Sequence, residues 1–189
     1  MIQEEKSRLH QFISTPLVNV ISEDFKNYLF YEGFFRAPAS TKYHGAYDGG
    51  LFDHSFAVAN FLAELTTKNN LQWERPESPF IVGMFHDLCK IDSYRHPVYG
   101  ETLSGEKLYD NSIWEHNPDT PLKGHGDKSI ILLSQFMTLT EEEIMCIRYH
   151  MGAFVDKSEW RDYTGAVNKY ANVLWTHHAD MLASHVKGV

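Results

Sequence analysis

The chain has 189 residues, 43% of them hydrophobic and 14% aromatic, enough for one sizeable hydrophobic core. A formal net charge of −8 argues against an extended basic face for nucleic acid, and two cysteines are too few for a disulfide framework. The sequence has no signal-peptide pattern and no apolar run near the ~20 residues of a membrane span, so we expect a cytoplasmic protein without a membrane partner.

Hydrophobic periodicity predicts an all-α fold in a single domain, residues 1–189, because no repeat or linker divides the chain. The helices within residues 1–43 are expected to pack on the core formed by the rest of the chain. Capping and periodicity signals predict helices at residues 2–13, 16–33, 50–70, 77–88, 140–149 and 167–185. Residues 92–123 are rich in proline and glycine, so we expect a loop that covers the functional site, with a possible short β-hairpin at 92–112.

An ionisable pair lies at the end of the apolar run PFIVGMF, in the segment FHDLCK (85–90). Alone, His86 and Asp87 are more simply a core histidine and a capping carboxylate. His54 in GGLFDHSFAVA and Asp180 in THHADMLAS change this interpretation, because each lies on a polar stripe of another predicted helix. Two imidazoles and two carboxylates on three helices suit a first-row divalent metal, and 11 histidines in an acidic chain favour the same interpretation.

The ordered pattern H…HD…D resembles the HD-domain superfamily of metal-dependent phosphohydrolases. Two further histidines, in LKGHGDKS and IRYHMGAF, extend it to H…HD…H…H…D, which resembles the binuclear branch of that superfamily. The resemblance implies an HD-domain helical bundle with two divalent ions, drawn from Mn, Fe, Ni and Zn. It implies the following ligands: His54, His86, Asp87 and Asp180 for the first ion, and Asp87, His125 and His150 for the second, with Asp87 as the bridge.

Further motifs are similar to the HD domain of YhaM-type 3'-to-5' exoribonucleases. They are APASTKYHGAYDGGLFDHSFAVA (37–59), the HD helix, a Gly-His near the end of a loop, a His-Gly turn and a terminal HxAD. The sequence departs from that family at two points. The family's His-His-Gly turn is His150-Met151-Gly152 here. The family also carries an additional OB-type nucleic-acid-binding domain before the HD domain, whereas 43 residues precede His44 in this sequence.

The resemblance implies hydrolysis of a phosphoester of a nucleotide or short oligonucleotide by a metal-activated hydroxide. Asp87 and Lys90 are the expected catalytic residues, although a solvated surface lysine is an equal interpretation of Lys90 and of Lys128. Substrate contacts are expected at His44, Tyr47, Lys90, Arg95 and Lys128. We expect His10, His116 and His185 to face solvent.

Three other functions remain open from the sequence. The first is a 3'-to-5' exonuclease on single-stranded RNA or DNA that needs a partner to hold the strand. The second is a cyclic-nucleotide phosphodiesterase. The third is a non-catalytic binding module whose metals only brace the helices. A homo-oligomer is possible in each case.

Overall fold

A computed structural model describes residues 3–120, 122 and 124–189. The prediction of a mainly helical chain is confirmed. The described residues form eight α-helices: α1 Gln3–Ile13, α2 Glu23–Tyr31, α3 Gly50–Asn69, α4 Ser78–Phe85, α5 Gly126–Leu133, α6 Glu141–Arg148, α7 Trp160–Lys169 and α8 Asn172–Met181, which continues as a π-helix over Leu182–Lys187. No helix in this part of the chain has the length and apolarity to cross a bilayer.

The centre of the fold is a bundle in which α3 packs on α4 and α8, and α6 packs on α4 and α8. Helices α3 and α4 approach so closely that a Cβ added at Gly83 would lie 2.4 Å from the Cα of Ala59. Any larger residue at Gly83 would push the two helices apart. This contact brings the buried face of α3, which carries His54, towards the end of α4.

Aromatic side chains join the N-terminal helices to this bundle. Phe25 on α2 is fully buried, and its ring centroid lies 5.1 Å from that of Phe85 on α4 and 4.9 Å from that of Phe136. Phe12 on α1 contacts Phe35 edge to face at 5.7 Å. Aromatic pairs at such distances contribute beyond their buried area, so residues of both N-terminal helices share one core with α4.

Two of the predicted helices are interrupted. Residues 16–33 do not form one helix, because Ser22 has extended backbone angles and its hydroxyl accepts a hydrogen bond from the N–H of Phe25, which starts α2 anew. The predicted helix 167–185 is broken at Tyr170, whose backbone is extended. Asn172 then begins α8, and its buried amide donates to the main-chain oxygen of Gln72 and to Glu142. Long-range hydrogen bonds therefore fix a break that local periodicity does not indicate.

Four short strands lie between α4 and α5. The predicted hairpin is confirmed as β2 Val98–Glu101 paired antiparallel with β3 Lys107–Tyr109. The restriction of strand to residues 92–112 is wrong, because β1 Tyr94–Arg95 pairs with β4 Glu115–His116, which lies beyond that range. The pairing of β1 with β4 joins residues about 20 positions apart in the sequence, and so brings the two ends of the loop together.

A buried carboxylate anchors the loop before α4 to the start of α6. Glu143 completes the predicted capping box with Thr140. Its side chain is fully buried, accepts two hydrogen bonds from Arg75 at 2.8 and 2.6 Å, and accepts one from Ser78. Because a buried charge needs a partner, Arg75 is a structural counter-ion.

We expect Arg75→Ala to lower the free energy of unfolding by roughly 2–3 kcal/mol, less than the ~3–5 kcal/mol for breaking a fully buried ion pair, since Arg75 is itself partly exposed. Lys26→Ala, which removes the exposed pair with Glu23, is the control and should change stability little. Urea titration of both variants measures the difference, and equal effects would contradict this role of Arg75.

Candidate metal centre

Six side chains from five separate parts of the chain meet at one point of the bundle. His54 lies on α3, His86 caps the end of α4, and Asp87 follows as the chain leaves the helix. His125 immediately precedes α5, His150 follows α6, and Asp180 lies on α8. These are the six residues for which the sequence predicts metal ligation: His54, His86, Asp87, His125, His150 and Asp180.

The carboxylate of Asp87 stands between two pairs of histidines. Its Oδ2 lies 3.8 Å from Nε2 of His54 and 3.5 Å from Nε2 of His86. Its Oδ1 lies 3.5 Å from Nδ1 of His125 and 3.5 Å from Nε2 of His150. Each carboxylate oxygen therefore faces its own pair of imidazoles.

The ligand-type atoms form overlapping groups rather than two isolated ones. Within 4.8 Å of one another lie the atoms of three sets: His54, His86 and Asp87; Asp87, His125 and His150; and His86, His150 and Asp180. The first two sets match the predicted division. The third crosses it, so Asp180 stands near both halves, although its Oδ1 lies 3.3 Å from Nε2 of His54. The described residues could thus bind metal ions.

Main-chain carbonyls orient three of the imidazoles. Their Nδ1 atoms lie 2.7–3.0 Å from a carbonyl oxygen: His54 with Val189, His86 with Gly83, and His150 with Ile147. A carbonyl requires an N–H donor at Nδ1, which leaves the lone pair on Nε2, the nitrogen that faces the cluster. Such hydrogen bonds are typical of metal-binding histidines.

Two buried atoms of the cluster have no hydrogen-bond partner within the described residues, Asp87 Oδ1 and His150 Nε2. Both residues are almost completely inaccessible to solvent. Leaving such atoms unpaired costs roughly 1–3 kcal/mol each, so a buried acceptor of this kind calls for an explanation. Both atoms are electron-pair donors, and a cation between them would satisfy both. The donor set therefore fits a divalent metal.

Charges within the cluster keep the carboxylates ionised. Burial alone would raise the pKa of Asp87, but Lys90, with its Nζ 2.6 Å from Oδ2, and the surrounding histidines hold that pKa well below its ordinary value. The pKa of Asp180 is likewise low, because the nearby imidazoles of His54, His86 and His150 outweigh its burial. Burial lowers the pKa of His86. The site thus presents anionic carboxylates and a neutral imidazole, which are the ligand states that metals require.

A cleft of about 610 Å³ opens above the cluster. Asp87, Asp180 and His125 lie at its base, and Lys90 and His44 line it as the sequence predicts. The other described lining residues are Tyr43, Met151, Phe154, His177, Met181, Ser184 and His185. Burial lowers the pKa of His44 to about 4, so its imidazole is neutral at neutral pH.

The other predicted substrate contacts lie elsewhere. Tyr47 does not line the cleft but lies near the Arg8–Asp53 ion pair. Arg95 forms ion pairs with Glu115 at 3.0 Å and with Asp119 at 2.8 Å. Lys128 is buried beside a second cavity. None of the residues 92–120, 122 or 124 lines the cleft, so this loop borders the second cavity instead.

Several lining residues were not predicted. Met151, Phe154 and Met181 give the cleft an apolar, aromatic side, and sequence reasoning missed them because each is an ordinary hydrophobic residue. Their positions next to His150 and Asp180 are the one signal in the sequence. His116 and His185 are exposed, as predicted, but also line cavities at the site.

Comparisons of the chain with protein-family models, with curated proteins and with solved structures found no match.

Proton release should accompany metal binding. The Asp87 carboxylate, whose Oδ1 lies 3.5 Å from Nδ1 of His125, raises the pKa of His125 to about 10, so this imidazole is protonated at pH 7 in the ion-free protein. A ligand nitrogen must be neutral, so binding of Mn²⁺ at His125 should release about one proton, and affinity should rise as the pH increases from 7 towards 10.

Calorimetry in two buffers of different ionisation enthalpy measures the number of protons released. His125→Gln should release about one proton fewer per protein than the unchanged chain. The same proton release from both proteins would show that His125 is not a ligand.

Proposed function

We propose that the protein is a metal-dependent phosphohydrolase of the HD type, with a binuclear centre that cleaves a phosphoester of a nucleotide or short oligonucleotide. One observation carries the proposal: the buried Asp87 carboxylate directs one oxygen to His54 and His86 and the other to His125 and His150. A carboxylate between two sets of nitrogen ligands has the arrangement of a bridging ligand.

The proposed division of ligands follows this geometry. The first ion would be held by His54, His86, Asp87 and Asp180, and the second by Asp87, His125 and His150. Divalent cations bound there would supply positive charge to offset the phosphate and would lower the pKa of a bound water. A mixed set of imidazoles and carboxylates accepts manganese, iron, nickel or zinc.

The chain's own residues supply the remaining functions. Lys90 lies at the base of the cleft, and its ammonium group, 2.6 Å from Asp87, is positioned to hold a phosphate oxygen close to the ligands. His44 stands over His54, with ring centroids 5.1 Å apart, and its neutral imidazole can donate to or accept from a substrate hydroxyl. The apolar, aromatic side of the cleft, with Met151, Phe154 and Met181, suits a nucleobase, and Tyr43 adds a second aromatic ring to the lining.

The first experiment counts the ions. Protein prepared without chelator should contain two divalent ions per chain by elemental analysis. Asp87→Ala should lose both, because both ions lose a ligand and the anion that screens their mutual repulsion. His125→Ala should retain one, because only the second ion loses a ligand, and this half-exposed side chain can be removed without disturbing the core.

His10→Ala removes an exposed histidine outside the cluster and should leave two ions bound. Circular dichroism checks that each variant is folded. Two ions retained by His125→Ala would exclude His125 as a ligand, and a single ion in the unchanged protein would restrict the centre to the mononuclear set.

The second experiment tests catalysis. Chelation should abolish phosphoesterase activity, and Mn²⁺ or another transition metal should restore it. Lys90→Met should reduce the rate on the order of 10²-fold, as loss of one charge-stabilising donor does, whereas Lys68→Met on the exposed side of α3 should not. The panel consists of nucleoside mono-, di- and triphosphates, cyclic nucleotides and short single-stranded oligonucleotides.

Each result separates the alternatives. Processive shortening of oligonucleotides would favour an exonuclease, and cleavage of cyclic nucleotides alone would favour a phosphodiesterase of that class. Two bound ions with no turnover across the panel would indicate a metal-braced binding module and would contradict the hydrolase proposal. Activity in protein shown to be free of metal would contradict the metal dependence of the proposal.

A further inference from the structure

A second cavity, of about 430 Å³, lies beside the cleft, and we call it the side cavity. Lys90 and His125 line both spaces, so these two residues form their common wall. The rest of the side cavity comes from the loop after α4 and from the start of α5. The ladder of β1 with β4 places Tyr94 directly opposite His116 at its rim, with ring centroids 5.3 Å apart.

The side cavity is lined by basic side chains as well as by apolar ones, in a chain of net charge −8. Among the described residues that line it, none has a carboxylate. The lining includes two lysines and two histidines, Lys90, Lys128, His116 and His125. Both lysines are paired with carboxylates that stand outside the lining, Lys128 with Asp92 and Lys90 with Asp87. An anion would therefore meet donors and cations in this space.

The donors divide into those already used and those available. Lys128 is buried and committed, since its ammonium group donates to Asp92, to Thr120 at 2.8 Å and to Ser93 at 3.4 Å. By contrast, the Tyr94 hydroxyl and the His116 ring nitrogens have no hydrogen-bond partner in the part of the chain that the structure describes. Lys128 thus holds the wall in place, and other groups are available to bind.

Two further donors stand in the common wall. Lys90 donates to Asp87 in its one hydrogen-bonded ion pair among the described residues and has other N–H groups to offer. His125 faces Asp87 with Nδ1, which leaves Nε2 on the far side of its ring. Four groups around one space can therefore donate to the same anion: Lys90, Tyr94, His116 and His125.

We propose that the side cavity binds a second phosphate group of the substrate, while the reacting phosphate lies at the metal centre and the base lies on the aromatic side of the cleft. The substrate class is then a nucleotide with at least two phosphates, not a nucleoside monophosphate. The placement of the reacting phosphate rests on the proposed function, whereas anion binding in the side cavity does not depend on it.

The first arm of the test uses metal-free protein and inorganic phosphate, measured by calorimetry. Without ions, the carboxylates of Asp87 and Asp180 disfavour an anion at the metal centre, so binding reports the side cavity. Tyr94→Phe removes one hydroxyl and should weaken phosphate binding about fivefold, as loss of one hydrogen bond does, and His116→Ala should do the same. Tyr99→Phe, on the exposed strand β2, is the matched control and should bind phosphate as the unchanged protein does.

The second arm uses metal-loaded protein and three ligands with the same base: adenosine 5'-monophosphate, adenosine diphosphate and adenosine 3',5'-bisphosphate. Tyr94→Phe should raise the Kd, or the KM if the ligand is hydrolysed, about fivefold for the ligands with two phosphates and leave the monophosphate unchanged. Preference for the diphosphate would assign adjacent phosphates, and preference for the bisphosphate would assign phosphates separated by a sugar, as in an oligonucleotide.

Either of two results would overturn the proposal. One is that metal-free protein does not bind phosphate, or binds it with an affinity that Tyr94→Phe and His116→Ala do not change. The other is that Tyr94→Phe affects the monophosphate and the two-phosphate ligands equally. Because the first arm involves no metal and no turnover, its measurement of phosphate binding can be interpreted even if the protein is not a hydrolase.

Discussion

Burial of the Asp87 carboxylate is the constraint on which the rest of the site depends. An ionised carboxylate that is about 3% exposed must be matched by positive charge or by donors, because its desolvation is costly. Here Lys90 supplies a charge to one oxygen, and histidines surround both. The bundle places four helix ends or faces around this single group. The close contact of α3 with α4 at Gly83 makes that convergence possible, since a wider separation would move His54 away from Asp87.

Local signals in the sequence were sufficient for four of the eight helices, α1, α3, α4 and α6. The capping box at Thr140 and the apolar periodicity of residues 50–70 each depend on neighbours a few positions apart, and both are found in the structure. A buried ionisable residue on an apolar helix violates the local pattern, and this violation singled out His54, His86, Asp87 and Asp180 in the sequence. His125 and His150 do not violate such a pattern, and only the resemblance to a binuclear family pointed to them.

Features that depend on long-range contacts were not predictable. The break at Tyr170 is stabilised by hydrogen bonds from Asn172 to residues 30 and 100 positions away, and no local residue marks it. The pairing of Tyr94 with His116 closes the loop outside the predicted hairpin, and no alternating pattern in the sequence marks residues 94–95 and 115–116 as partners. Since that pairing forms the rim of the side cavity, the sequence also gave no indication of a second space beside the metal centre.

The orientation of His54 shows how far such long-range control extends. Its Nδ1 lies 3.0 Å from the carbonyl oxygen of Val189, which reaches His54 because the π-helix after α8 and a left-handed Gly188 return the chain to α3. His86 and His150 instead use carbonyls only three residues away, within their own helix ends. The ligand set proposed for the first ion therefore contains one histidine oriented by local helix geometry and one oriented by tertiary packing. Loosening of the segment after α8 would act on His54 through this hydrogen bond and would leave the orientation of His86 and His150 unchanged.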